Sequence, residues 1–282
     1  MKQTTAEFVN RLLPIRDRNA HKGMFGKILL LCGSVGFSGA AALAARAALR
    51  TGSGLIFLGV PEQIYPILAT KLDEPMVFPL LGDGTGKLAS AALPEIMQRL
   101  AACDACLLGP GLGQSADIRK ITEAVCLASR VPLVLDADGL NVLSGHIDVL
   151  RGTDCPKILT PHEGEFRRQY GDFHPQHRRE AAEDLARQTR SVVLLKGHQT
   201  LITDGTETWC NETGNPGMAT GGSGDVLAGI LVSLLGQGIA PLEAAAAAAW
   251  LHGTAGDLAA REMGEYSLTP TDLIGALPRL LK

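Results

Sequence analysis

From Lys27 to Leu195 the chain changes its hydrophobic period repeatedly. Short apolar runs (KILLLCG, LIFLGV, ACLLGP, PLVLDADGL, KILTPH, SVVLLKG) are separated by longer segments of helical spacing, among them SGAAALAARAALRTG, EQIYPILATKL, SADIRKITEAVCLASR and HRREAAEDLARQTR. Apolar runs of this length suit strands buried on both faces, and the helical segments between them provide the crossovers that parallel strands require. The pattern predicts an α/β fold: a central, mostly parallel sheet flanked by helices on both faces and joined by right-handed crossovers. TLITDG and TETWCNET add a hairpin around Asp204-Gly205, and from Asp225 onward the pattern is almost wholly helical. No linker, charge block or repeat divides the chain, so residues 1–282 are expected to form a single domain; 46% hydrophobic residues suffices for a large core.

Several function classes are disfavoured at this level. A formal charge of −3 provides no basic field for nucleic acid, so an anionic ligand must be held by local groups. MKQTTAEFVNRLLPIRDRNAHKG lacks the continuous apolar core of a signal peptide, and the Ala-rich run at 244–249 is too short to span a bilayer, so the expected location is the cytoplasm. Six cysteines in a chain of this length form no disulfide framework. Cys103 and Cys106 have the spacing of half a zinc site, but no second CxxC or paired histidine motif completes it, and buried thiols are the expectation.

Ligands of open α/β sheets gather where strands end and helices begin, and glycine marks several such corners here. Gly33-Ser-Val-Gly36-Phe-Ser-Gly39 leads into a helix expected to begin near Ala40, but it is not GxGxxG and lacks the acidic residue expected about 20 positions on. Gly84-Thr-Gly86-Lys87 is no P-loop, because Leu follows the lysine and Leu81 replaces the first glycine; a surface turn is expected there. GPGLG at 109–113 is either a close-approach corner or a plain tight turn. Asp136 and Asp138, in DADGLN, could bind metal or cap the next helix.

NPGMATGGSGDVLAGI, residues 215–230, is more specific. Gly221-Gly222-Ser223-Gly224 precedes an apolar run of helical spacing, which places Asp225 at a helix start whose free N–H groups and dipole favour an anion. An N-capping aspartate needs no glycine-rich lead-in, and a carboxylate beside bound phosphate is repelled unless it has work to do. Proton transfer at a phosphoryl group is such work.

Taken together, HKGMFGKILLLCGS, SGAAALAARAALRTGSGL, GPGLG, LVLDADGLN, LTPHEGEF, LLKGHQTLI and NPGMATGGSGDVLAG resemble the ribokinase-like superfamily, and within it the ADP/ATP-dependent NAD(P)H-hydrate dehydratases. The resemblance runs from about His21 to the last helix. It identifies the stand-alone form, with any epimerase supplied by another chain. The sequence departs from the family pattern at Glu163, where Pro is common, and at His198, where Ala is usual. His162-x-x-Glu165 stands where sugar kinases of the superfamily carry Asn-x-x-Glu, which points away from sugar kinases.

The resemblance implies dehydration of the 6S hydrate of NADH or NADPH, with its hydroxyl first phosphorylated by ADP or ATP and then expelled as phosphate. It implies Asp225 as the base and Gly222, Ser223 and Gly224 as the anion hole. Lys196, Gly197, His198, Gln199, Thr200 and Gly224 become the nucleotide contacts. Ala40, Gly111, Gly113, His162 and Asp225 become the hydrate contacts, and Glu165 is a candidate for ordering Mg²⁺ through water. Homotetramers are common in the family. An ordinary aspartate is a weak base, and a helix N-terminus does not strengthen it, so Asp225 is expected to act late in the transfer. His252, in a helix of small residues, reads as packing. A small-alcohol kinase and a non-catalytic nucleotide-binding module remain the alternatives at this stage.

Overall fold

A computed structural model describes residues 1–281. Ten strands form one sheet: Lys2–Gln3 (β1), Lys27–Leu31 (β2), Leu55–Pro61 (β3), Met76–Leu80 (β4), Ala105–Leu108 (β5), Leu133–Leu135 (β6), Lys157–Leu159 (β7), Val192–Leu195 (β8), Thr200–Thr203 (β9) and Thr208–Asn211 (β10). The helices before the eighth strand are Ala6–Leu12 (α1), Ser38–Arg50 (α2), Tyr65–Lys71 (α3), Leu93–Leu100 (α4), Ala116–Ala128 (α5), Asp138–Asn141 (α6), Glu163–Tyr170 (α7) and Arg178–Thr189 (α8). Ser223–Gly236 (α9), Pro241–Met263 (α10) and Pro270–Ala276 (α11) follow the last strand.

The sheet order is β1-β10-β9-β8-β7-β6-β5-β2-β3-β4. Every pair is parallel except those made by β9, which runs antiparallel to β8 and to β10, the latter across the expected hairpin. Two edge strands were not legible in the sequence. β1 has only two residues, and β4 contains Pro79, which an edge strand tolerates because one side needs no ladder donor.

Strand periodicity divides the core in two. In β2, Ile28 and Leu30 face a cluster shared with α2, α9, α10 and α11, whereas Leu29 and Leu31 face one shared with α4, α5 and α8. α9 is buried from Val226 through Gly236, and its apolar surface runs all round. In α10 the six alanines at 244–249 are buried, their small side chains allowing close helix packing.

β2 lies between β3 and β5, so the chain order reverses there. α2, which follows β2, packs on one face of the sheet, and α5, which follows β5, packs on the other. The loops leaving these two strands therefore diverge over a crevice, the usual ligand position in an open α/β sheet. Among the described residues no helix is long and apolar enough to cross a membrane.

Candidate active site

Ser34 Oγ, after β2, donates to the Gly111 carbonyl at 2.7 Å, and Gly33 N donates to the Pro110 carbonyl at 2.8 Å. These bonds fold GPGLG over the start of α2, which begins at Ser38, two residues before the expected start and with no side-chain cap. A Cβ on Gly111 would stand 2.9 Å from the Ala40 Cβ, so the two backbones meet only because Gly111 has none. Gly113 N donates to Asp138 Oδ2 at 2.8 Å. Ala40, Gly111 and Gly113 thus share one corner, which Asp138 anchors.

The ends of β7 and β8 bring His162 beside Lys196 in a single parallel bridge. Lys196 Nζ lies 2.8 Å from Asp136 Oδ1 and 3.8 Å from Glu165 Oε2. Asp136 is only 2% exposed, and its Oδ1 also accepts from Thr160 Oγ1 at 2.7 Å. Burial alone would push the Lys196 ammonium down, but Asp136 and Glu165 outweigh it and hold its pKa above the ordinary value. Lys196 is therefore a fixed, charged group. Glu165 Oε2 accepts from His162 N at 2.9 Å while His162 Nδ1 accepts from Glu165 N at 3.2 Å, a reciprocal cap at the start of α7.

The glycine-rich turn closes against this cluster. Gly222 is the N-cap residue of α9 at φ 98°, a left-handed conformation that favours glycine. Asp225 is the third helical residue, not the cap. A Cβ on Gly224 would lie 3.6 Å from Lys196 Nζ, which places the lysine against the first turn. Burial first, then the nearby Asp136, pushes the Asp225 carboxyl up to about 7; Lys196 pulls it down and Asp138 adds to the rise. The expectation of an ordinary, weak carboxylate base is thereby corrected, because it considered only the helix end and neither the burial of the carboxyl nor the two aspartates delivered from the end of β6.

A cavity of about 810 Å³ opens beside the turn. Lys196, Gly197, His198, Gln199 and Thr200 line one wall, and Ser223, Gly224 and His162 also face it. The segments Asn211–Pro216 and Met218–Gly221 also line it, with Leu227, Ala249 and Gly253. Of these, Gly221 belongs to the glycine run expected at the helix start, whereas Asn211–Gly214 carried no expected functional role. Asp257 holds the first of these segments, accepting from Gly214 N and Asn215 Nδ2, both at 2.9 Å, an anchor 43 residues distant with no local signature.

His252 also lines the cavity, and it does more than pack. Its Nε2 lies 2.9 Å from the Ser223 carbonyl and 3.2 Å from Ser223 Oγ. Burial pushes the imidazole down to about 4, so it is neutral at pH 7, and Nε2–H donates to the carbonyl, tying α10 to the first turn of α9.

All six cysteines are buried, Cys103 and Cys106 among core side chains. Among the described residues no group of three or more His, Cys, Asp and Glu side chains is arranged to hold a metal ion.

Residues 28–279 match the model of the Carb_kinase family, NAD(P)H-hydrate dehydratase. The bifunctional NAD(P)H-hydrate repair enzyme Nnr of Moorella thermoacetica is 43% identical over 99% of this chain and 53% of its own length. The chain thus spans about half the length of such bifunctional relatives. Among solved structures, the ADP/ATP-dependent NAD(P)H-hydrate dehydratase of Bacillus subtilis, co-crystallised with ATP and Mg²⁺, is 33% identical with a TM-score of 0.84, covering 99% of this chain and 97% of that one. A ribokinase-like superfamily protein of Enterococcus faecalis superposes with a TM-score of 0.85 at 26% identity, over 99% and 94% of the two chains. The fold is ribokinase-like, and the chain belongs to the NAD(P)H-hydrate dehydratase family.

Proposed function

We propose that the protein dehydrates the 6S hydrate of NADH or NADPH at the expense of ADP or ATP. One observation carries this reading: Asp225, a carboxylate raised to about 7, stands in the first turn of α9 next to Gly222–Gly224 and Lys196. A base of that strength is useful at neutral pH, and the adjoining N–H groups and ammonium are placed to hold phosphate.

Asp225 takes the proton of the hydrate hydroxyl as its oxygen bonds to the terminal phosphorus of the nucleotide, which leaves as AMP from ADP or as ADP from ATP. The Gly222, Ser223 and Gly224 amides hold the phosphoryl in transit, and Lys196 offsets its charge. The ring nitrogen then expels phosphate by breaking the carbon–oxygen bond, and loss of the neighbouring carbon's proton restores the dihydronicotinamide. The corner at Ala40, Gly111 and Gly113 receives the hydrate through backbone contacts, with His162 at its nicotinamide or phosphate. Lys196–Thr200 receive the nucleotide.

The donor set fits Mg²⁺ carried by the nucleotide better than a protein-held ion. Lys196 already stands between Asp136 and Glu165, which leaves Glu165 to order metal-bound water rather than to coordinate. When bound, Mg²⁺ supplies neutralisation of phosphate charge. Action in the cytoplasm as a single domain, assembly into a homotetramer and cooperation with an epimerase on another chain belong to the same proposal; the assembly is checked by sedimentation.

The test is absorbance at the dihydronicotinamide band on mixing the protein with NADHX or NADPHX, Mg²⁺ and either ADP or ATP. A nucleotide-dependent rise that is lost in Asp225→Asn supports the reading and identifies the donor. No rise with either nucleotide, together with a stable phosphate ester from a small alcohol, replaces it with a kinase.

A further inference from the structure

The loop between β8 and β9 contains a non-glycine residue in the left-handed region, Gln199 at φ 55°. Such a conformation is disfavoured and persists where surrounding contacts fix it. Here Arg178, the first residue of α8, provides those contacts. Its Nη1 donates to the carbonyls of Gln199 at 2.7 Å and His198 at 3.1 Å, and its Nη2 donates to those of Leu195 at 3.1 Å and Lys196 at 3.4 Å. Four carbonyls, from the end of β8 and the loop after it, therefore converge on a single side chain that is only 14% exposed.

Glu163 balances that charge. Its Oε1 lies 3.0 Å from Arg178 Nε, without the alignment of a hydrogen bond, so the contribution is ionic. Arg178 and Glu163 both lie outside the cavity lining, whereas Lys196, Gly197, His198, Gln199 and Thr200 are all part of it. The pair therefore grips the loop without facing whatever fills the cavity.

We propose that Arg178, with Glu163 as counter-ion, is a positioning residue that holds the Lys196–Thr200 loop in its nucleotide-binding shape and thereby sets nucleotide affinity from outside the cavity. The inference rests on the nucleotide reading of that loop. A ligand that needs a loop conformation populated only part of the time binds more weakly in proportion to that fraction, so releasing the loop weakens the nucleotide and leaves the hydrate corner alone. Lysine cannot substitute fully, because one ammonium on a flexible stem does not reproduce a planar fork with four carbonyls around it.

Titration calorimetry with Mg·ADP on the full chain, paired with steady-state kinetics, tests this. Arg178→Met is expected to raise the Kd for ADP about tenfold, with Arg178→Lys recovering only part and Glu163→Gln costing about threefold. The loss falls on KM for ADP more than on kcat, and KM for the hydrate stays within about twofold of wild type, a split that general loosening of the fold would not produce. If Arg178→Met does not fold, Glu163→Gln and Arg178→Lys carry the comparison. Wild type that binds ADP, with variants whose Kd stays within about twofold of it, overturns the clamp and leaves the nucleotide reading intact. Wild type that binds no ADP overturns the nucleotide reading, and the clamp with it.

Discussion

Two loops at the carboxyl ends of the strands are held by charged side chains, and the signs are opposite. GPGLG is anchored by a carboxylate, Asp138, accepting from Gly113 N; the Lys196–Thr200 loop is gripped by a guanidinium, Arg178, donating to four carbonyls. The signs follow from the bonds, because an N–H needs an acceptor and a carbonyl needs a donor. The electrostatic consequences differ. Asp138 acts on Asp225 and helps raise its pKa, whereas Arg178 has its own counter-ion in Glu163. The acidic anchor therefore does two things at once, positioning and tuning, and the basic one positions only. Placing carboxylates near the proposed base keeps the Asp225 pKa raised, with Lys196 acting against it.

The largest effect that sharpens this contrast is removal of the proposed base. Asp225→Asn should lower kcat by about 10²–10⁴-fold. It should also melt at higher temperature than wild type, because the folded chain holds the Asp225 proton up to about 7, above the unfolded value near 4. Wild type loses stability as pH rises between those values and gains none back above them. The difference in Tm is therefore greatest above pH 7 and disappears below pH 4, as measured by scanning calorimetry across that range.

Lys196→Met comes next. It leaves Asp136 buried without its ammonium, a change that costs about 3–5 kcal/mol in denaturant unfolding. It also removes a cation pulling Asp225 down, so the acidic limb of kcat/KM, near pH 7 in wild type, moves to higher pH. Asp136→Asn moves the same limb the other way, to lower pH. An unmoved limb in both variants would show that the limb belongs to another group.

Much of this site lies beyond local sequence signals. The alternation of periods revealed the sheet and its crossovers, and Gly222–Asp225 revealed the helix end, because both are encoded by neighbours. The basicity of Asp225 was invisible. It arises first from burial of the carboxyl and then from Asp136, which the end of β6 delivers from 89 positions away in the chain. Likewise His252 looked like helix packing until α10 placed it at the Ser223 carbonyl. Glu163, a departure from the family pattern, looked incidental, yet its carboxylate borders Arg178; His198, the other departure, meets Arg178 only through a backbone carbonyl that Ala would supply equally.

The smallest effect separates the two duties of Asp138. In Asp138→Asn the amide oxygen can still accept from Gly113 N, so the GPGLG corner stays anchored while the charge is lost. KM for the hydrate should remain near wild type, and the acidic limb should shift to lower pH, by less than in Asp136→Asn because Asp138 is the weaker of the two acidic influences on Asp225. Asp138→Ala removes the acceptor as well and should raise KM for the hydrate about tenfold, the scale of a hydrogen bond to a charged group. Arg178→Met supplies the counterpart: KM for ADP rises and the limb stays in place. A limb shift in Arg178→Met as large as that in Asp138→Asn would mean that Glu163 does not isolate the guanidinium, and the opposition between a tuning anchor and a silent one would fail.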